Sequence, residues 1–184
     1  GKDLIVLPSF SLDILSKLGN IIDRYSVTFM SSVPAVWKIA TLQAEGPKNN
    51  SLKRVHCGSA PLGNDLIQKI KKWSQIKKIY NTYGITETGS WIAGSENNPA
   101  NIEDGFIGQP WGSEFLITIE DNNEIINNCV NFTECKENEL GYVWVKTASL
   151  MKEYYKREDL TKEFIFNSWF FTGDKGFLDL NGNL

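Results

Sequence analysis

LKRVHCGSAPLGNDLIQKIKKWSQIKKIYNTYG, residues 52–84, holds the signal that decides the fold. LKRVHCG (52–58) is a β-branched and apolar run that predicts a strand. APLGNDLIQKIKKW (60–73), with Pro61 near its start, predicts a helix. IKKIYN (76–81) predicts a second strand. Strand, helix and strand joined by short connections make a crossover unit, and such units build parallel sheets with helices on their faces.

The same rhythm runs upstream. DLIVL (3–7) predicts a strand, and SLDILSKLGNIIDRY (11–25) an amphipathic helix with Leu15, Leu18, Ile22 and Tyr25 on one face and Ser11 as its cap. VTFM (27–30) predicts a strand, and VPAVWKIATLQ (33–43) a helix with Pro34 in its first turn. Beyond Gly105 the pattern turns to strands. FLITIED (115–121) precedes a turn at 122–124, and GYVWVKT (141–147) alternates along its length. WFFTGDKGFLDLNGNL (169–184) predicts two strands about a turn at Gly173–Asp174, with an Asn-Gly hairpin signal at 181–182; only EDLTKEF (158–164) is helical in pattern. The expected architecture is α/β: a largely parallel sheet with flanking helices over 1–104, then a smaller β-rich subdomain over 105–184.

Composition narrows the function. A net charge of −3 makes no field that gathers nucleic acid or an anionic membrane. No apolar run approaches the roughly 20 residues of a membrane span, so a cytoplasmic protein is expected. Cys57, Cys129 and Cys135 are odd in number and lack metal-site spacing. The sequons at 49–51 and 131–133 are read as chance matches. His56, the one histidine, lies beside Val55 and Cys57 on a strand and is expected to be packed. Both ends of the sequence lack the polar character of natural termini, and the chain is expected to be a segment of a longer protein.

In chain order the sequence presents VTFMSSVPAVW, VHCGSAPL, YNTYGITETG, IGQPWG and WFFTGD. Together, and spread over nearly the whole length, these motifs resemble the adenylate-forming superfamily, which includes acyl-CoA synthetases, luciferases and the adenylation domains of peptide synthetases. The resemblance implies ATP-dependent activation of a carboxylic acid as its acyl-adenylate, with transfer to the thiol of CoA or of a carrier protein. ATP and Mg²⁺ are the implied cofactors. Glu87 matches the family's magnesium-coordinating glutamate, and Thr86 the hydroxyl near the α-phosphate. Tyr83 matches the ring that covers adenine, with Gly84 allowing close backbone approach. Gly58, Ser59, Ala60 and Pro61 match the turn that runs along the purine. Asp174 matches the carboxylate that accepts the ribose hydroxyls. Ser31, Trp37 and Ile85 fall where the acyl pocket is expected.

GSAPL and YGITETG favour the acyl-CoA-synthetase branch, while the Asn81-Thr82 lead-in is similar to the peptide-synthetase form. A non-catalytic AMP- or acyl-binding module is the alternative of another class. The KEYYKRED run (152–159) departs from the family pattern by placing Glu153 where a glycine is usual. The family's phosphate loop and its small C-terminal domain with the catalytic lysine do not match anything in these residues. The 184 residues alone are therefore expected to be inactive.

Overall fold

The computed structural model describes residues 3–7, 11–96, 105–119 and 132–184. The expected turn at 122–124, the last residues of the 115–121 strand, Cys129 and Asn131 of the second sequon lie outside the described residues. By contacts the chain divides into two compact units, residues 1–80 with 96–105, and residues 81–95 with 106–184.

In the first unit, Ser11 caps the chain's opening helix by accepting the Ile14 N–H at 3.2 Å. The helix expected over 11–25 is two helices, α1 (Leu12–Ser16) and α2 (Leu18–Tyr25), parted at Lys17. Leu15, Leu18 and Ile22 are buried as the periodicity requires, whereas Tyr25 is exposed. β1 (Phe29–Ser32) lies parallel to β2 (Arg54–Gly58), with Met30 beside Val55 and Ser32 beside Cys57. α3 (Pro34–Gln43) begins on its proline, whose fixed φ and missing N–H suit a first helical turn. α4 (Asn64–Ser74) starts after Pro61 and not on it, since residues 61–63 form an irregular connection. β3 (Ile79–Tyr83) follows. The core gathers Leu18, Ile22, Trp37, Val55, Ile70 and Ile79, with Trp37 edge-on to Trp73.

Residues 3–7 form no strand. Leu4 is 85% exposed, and an apolar run becomes a strand only where a neighbour takes its backbone groups, which no described residue does.

In the second unit, β4 (Ala93–Glu96) pairs antiparallel with β5 (Gln109–Pro110). A four-stranded antiparallel sheet has the order β6 (Ser113–Thr118), β7 (Gly141–Thr147), β9 (Trp169–Gly176), β8 (Ile165–Phe166). α5 (Glu158–Phe164) leads into β8 and matches the expected range. Alternation along β7 and β9 loads both faces of this sheet. Val145 and Phe170 face Ile92 and a ring of half-buried side chains, while Trp144 and Phe171 form a cluster on the other face against which Phe132, Phe166 and Trp169 pack. The Trp144 indole N–H donates to Thr118 Oγ1 at 2.9 Å, which satisfies a buried donor. Strand pairing in the chain is thus mixed: a parallel β1–β2 pair and an antiparallel second unit.

The expectation for 169–184 is corrected. Gly173–Asp174 is no hairpin turn but an irregularity inside β9. The register passes from Tyr142–Lys175 to Trp144–Phe171, so residues 172–174 of β9 face Val143 alone. Gly173 supplies the positive φ of 79° that the extra residues need. Thr172 Oγ1 donates to Val143 O at 2.8 Å and pins the bulge. The 181–182 stretch makes a turn organised by Asp179, which accepts the Asn181 and Asn183 N–H groups, and no second strand forms.

Candidate active site

Most of the chemistry-bearing residues belong to the second unit. β3 delivers Tyr83 at its last position, and a single 3₁₀ turn, Thr86–Thr88, follows and is closed by Gly89 at φ 75°. The chain then doubles back, with the Ile92 N–H donating to Tyr83 O at 2.8 Å. Gly84 makes that return possible. A Cβ there would overlap Ser90 O and lie 2.8 Å from Trp91 Cα, so the close approach at Gly84 is made by the protein's own backbone.

Tyr83 is half-buried against the Ile92–Val145–Phe170 cluster, and its hydroxyl donates to Asp174 Oδ2 at 2.5 Å. The two residues are 91 positions apart in sequence. Burial, and then the neighbouring carboxylate, raise the Tyr83 hydroxyl above its ordinary pKa, so it remains a neutral donor across the physiological range. Asp174 sits exposed on the β9 bulge, its own N–H held by Thr172 Oγ1 at 3.1 Å. The bulge carries a carboxylate outward, with one oxygen taken by Tyr83 and acceptor capacity left over.

Glu87 is half-buried on the 3₁₀ turn. Its Oε1 accepts the Tyr154 hydroxyl at 2.8 Å, and its main-chain oxygen accepts the Met151 N–H at 2.8 Å. Burial and the Glu87 carboxylate push the Tyr154 hydroxyl up to about 12. Thr86 is exposed beside it, and Ile85 packs into the Ile92 cluster. Thr88 is fully buried, its hydroxyl donating to Ile85 O at 2.9 Å. Tyr154, Met151 and Thr88 escaped the sequence reading; the sole hint was that 152–159 departs from its family pattern.

The remaining expected residues belong to the first unit. Gly58 is buried at the end of β2, while Ser59, Ala60 and Pro61 are exposed. Ser59 adopts φ 65°, a left-handed conformation uncommon for a residue with a Cβ. Ser31 is exposed on β1, and Trp37 lies wholly inside the core. His56 packs between the Phe29 and Tyr80 rings, and burial, then Arg54, lowers its pKa. Burial pushes the Cys57 thiol up to about 12, which removes it as a nucleophile at neutral pH.

A family model described as AMP-binding enzyme matches residues 1–155. The chain belongs to the AMP-binding enzyme family. Within that family it is 29% identical over its full length to a 2-succinylbenzoate–CoA ligase of Oceanobacillus iheyensis, of which it covers 35%. It is 30% identical, over 99% of its length, to acyl-CoA synthetase 7 of Caenorhabditis elegans, of which it covers 32%. The O-succinylbenzoate coenzyme A synthetase of Bacillus subtilis, solved in complex with ATP and magnesium ion, superposes with a TM-score of 0.74 at 26% identity, covering 95% of this chain and 33% of that one. The chain spans about a third of the length of the relatives it matches.

The carboxylates around the 86–88 turn also bear on magnesium. Among the described residues no group of three or more His, Cys, Asp or Glu side chains could hold a metal ion. Magnesium bound with a nucleotide takes one or two carboxylates and completes its octahedron with phosphate and water oxygens. Glu87 offers such a lone carboxylate, with one oxygen steadied by Tyr154.

Proposed function

We propose that the chain is part of an ATP-dependent acid–CoA ligase, which activates a carboxylic acid as its acyl-adenylate and passes the acyl group to coenzyme A. In the first step a substrate carboxylate oxygen bonds to the α-phosphorus and the bond to pyrophosphate breaks. The CoA thiol then displaces AMP from the acyl carbon. The names of the relatives, CoA ligases and an acyl-CoA synthetase, support CoA as acceptor over a carrier-protein thiol.

The Tyr83–Asp174 hydrogen bond carries this reading. The family resemblance assigns these two residues to one nucleoside, and a direct bond across 91 positions supports their acting together. In this proposal Asp174 accepts ribose hydroxyls with the capacity that Tyr83 leaves, and the Tyr83 ring bounds the adenine. Thr86 offers its exposed hydroxyl to the α-phosphate, and Glu87 holds magnesium. Bound magnesium would offset phosphate charge as the acid anion approaches.

Both acidic groups oppose a polyanion. A carboxylate and a phosphate charge about 4 Å apart repel by roughly 4 kcal/mol at an effective dielectric near 20. The 184 residues alone are therefore proposed to lack the cations that turnover needs. ATP–pyrophosphate exchange on the full-length protein, over a panel of aromatic and fatty acids, tests the reading. Exchange that depends on one acid class and falls by about 10² or more in Glu87→Gln supports it. No exchange with any acid, or full exchange in Glu87→Gln, counts against it.

A further inference from the structure

We propose that Tyr154 is a positioning residue for Glu87, the working end of a brace that residues 149–154 place over the 86–89 turn. The inference rests on the reading of Glu87 as the magnesium-facing carboxylate.

A single 3₁₀ turn makes too few internal hydrogen bonds to fix a side chain by itself. This one begins at the exposed Thr86 and ends on Gly89. Its own bonds, such as Thr88 N–H to Ile85 O and Gly89 N–H to Thr86 O, run through the backbone and the Thr88 hydroxyl. The order of the Glu87 side chain and further support for the turn therefore come from outside. Three hydrogen bonds supply both. The Met151 N–H donates to Glu87 O at 2.8 Å, Ser149 Oγ donates to Thr88 O at 2.7 Å, and the Tyr154 hydroxyl donates to Glu87 Oε1 at 2.8 Å. The first two hold the backbone of the turn. The third alone reaches the carboxylate, and it chooses one rotamer of a side chain that otherwise has three torsions to vary.

Tyr154 is itself held. Its N–H donates to Thr161 Oγ1 at 3.0 Å, its ring meets Phe164 edge-on at 6.2 Å, and it packs on the Ile92–Val145–Phe170 cluster. Tyr155, next in sequence and identical in type, is 82% exposed, with Lys156 Nζ 5.2 Å from its ring centroid. The pair therefore contains its own control. With Oε1 engaged by the Tyr154 hydroxyl, the arrangement is one in which a second residue orients a metal ligand without touching the metal.

Tyr154→Phe, Tyr155→Phe and Glu87→Gln in the full-length protein test the proposal by two readouts: the magnesium concentration that half-saturates pyrophosphate exchange, and nucleotide-free amide hydrogen exchange over residues 85–91. Tyr154→Phe should raise the half-saturating magnesium by roughly ten- to a hundredfold and speed amide exchange in the turn, while Tyr155→Phe does neither. If Glu87→Gln abolishes the magnesium response but Tyr154→Phe leaves half-saturation unchanged, the positioning role is wrong and the reading of Glu87 stands. Faster amide exchange without a magnesium shift makes the contact merely structural and overturns the proposal. If Glu87→Gln leaves the magnesium response intact, the reading of Glu87 fails first and the proposal falls with it.

Discussion

Single residues carry chemistry here through contacts that differ in how far they reach along the chain. Tyr83, Glu87 and Asp174 stand out in the sequence because each is a distinctive residue type inside a short pattern. Tyr154 does not, because its importance lies in a bond to a residue 67 positions away and nothing local marks one tyrosine of the Tyr154–Tyr155 pair over the other. His56 was read as a packed residue, and its burial between two rings has a consequence for acid stability. Its pKa is depressed in the folded state below the ordinary 6.5, so the unfolded chain binds the proton more readily. Stability is full above about pH 6.5 and declines as pH falls toward the folded value. Chemical denaturation of wild type at about pH 7.5 and pH 5.5 should show a loss on acidification. His56→Gln, which has no imidazole to protonate, should show a smaller one. Equal losses in the two proteins would remove His56 as the cause.

The elements were legible where periodicity and geometry agree. α5 and β7 fall over their expected residues: β7 alternates along its length, and α5 sets Leu160 and Phe164 four residues apart on its half-buried side. The break at Lys17 left no mark, since Ser16-Lys17-Leu18-Gly19 contains nothing that forbids a continuous helix. β9 was misread for a sharper reason: a hairpin turn and a β-bulge both call for a glycine at positive φ, and Thr-Gly-Asp serves either. Gly84 shows a related ambiguity. Its lack of a side chain allows close backbone approach, and the backbone of Ser90 and Trp91 occupies the space a Cβ would fill. Gly84→Ala should therefore destabilise the protein by about 1–3 kcal/mol through backbone displacement at residues 90–91. The measurement is urea unfolding without nucleotide. An unchanged midpoint would mean that the 83–92 return adjusts freely.

For the molecule as a whole, each unit closes its own core, and both cores centre on tryptophan. Trp37 anchors the first, and Trp144 the second, with its indole N–H satisfied by Thr118. Trp144→Ala removes a fully buried ring and its indole N–H bond to Thr118 Oγ1, so a loss of about 3–5 kcal/mol is expected by denaturant titration. A loss below about 1 kcal/mol would place the second unit's stability elsewhere. Among the described residues no helix is long and apolar enough to cross a membrane. The α/β character was legible from the strand–helix rhythm of residues 52–81. The mixed pairing was not, because strand direction depends on which neighbours meet.

The bulge in β9 makes the location of one acidic group a matter of counting. Side chains on a strand alternate between faces, so parity decides which way each one looks. Losing one residue from 172–174 would invert every position beyond it relative to Phe170 and Phe171. Losing two would restore a regular ladder opposite Val143 and erase the bulge that carries Asp174. Small insertions and deletions in this three-residue stretch are thus barred by arithmetic more than by bulk, and drift within it is confined to exchanges that keep its length.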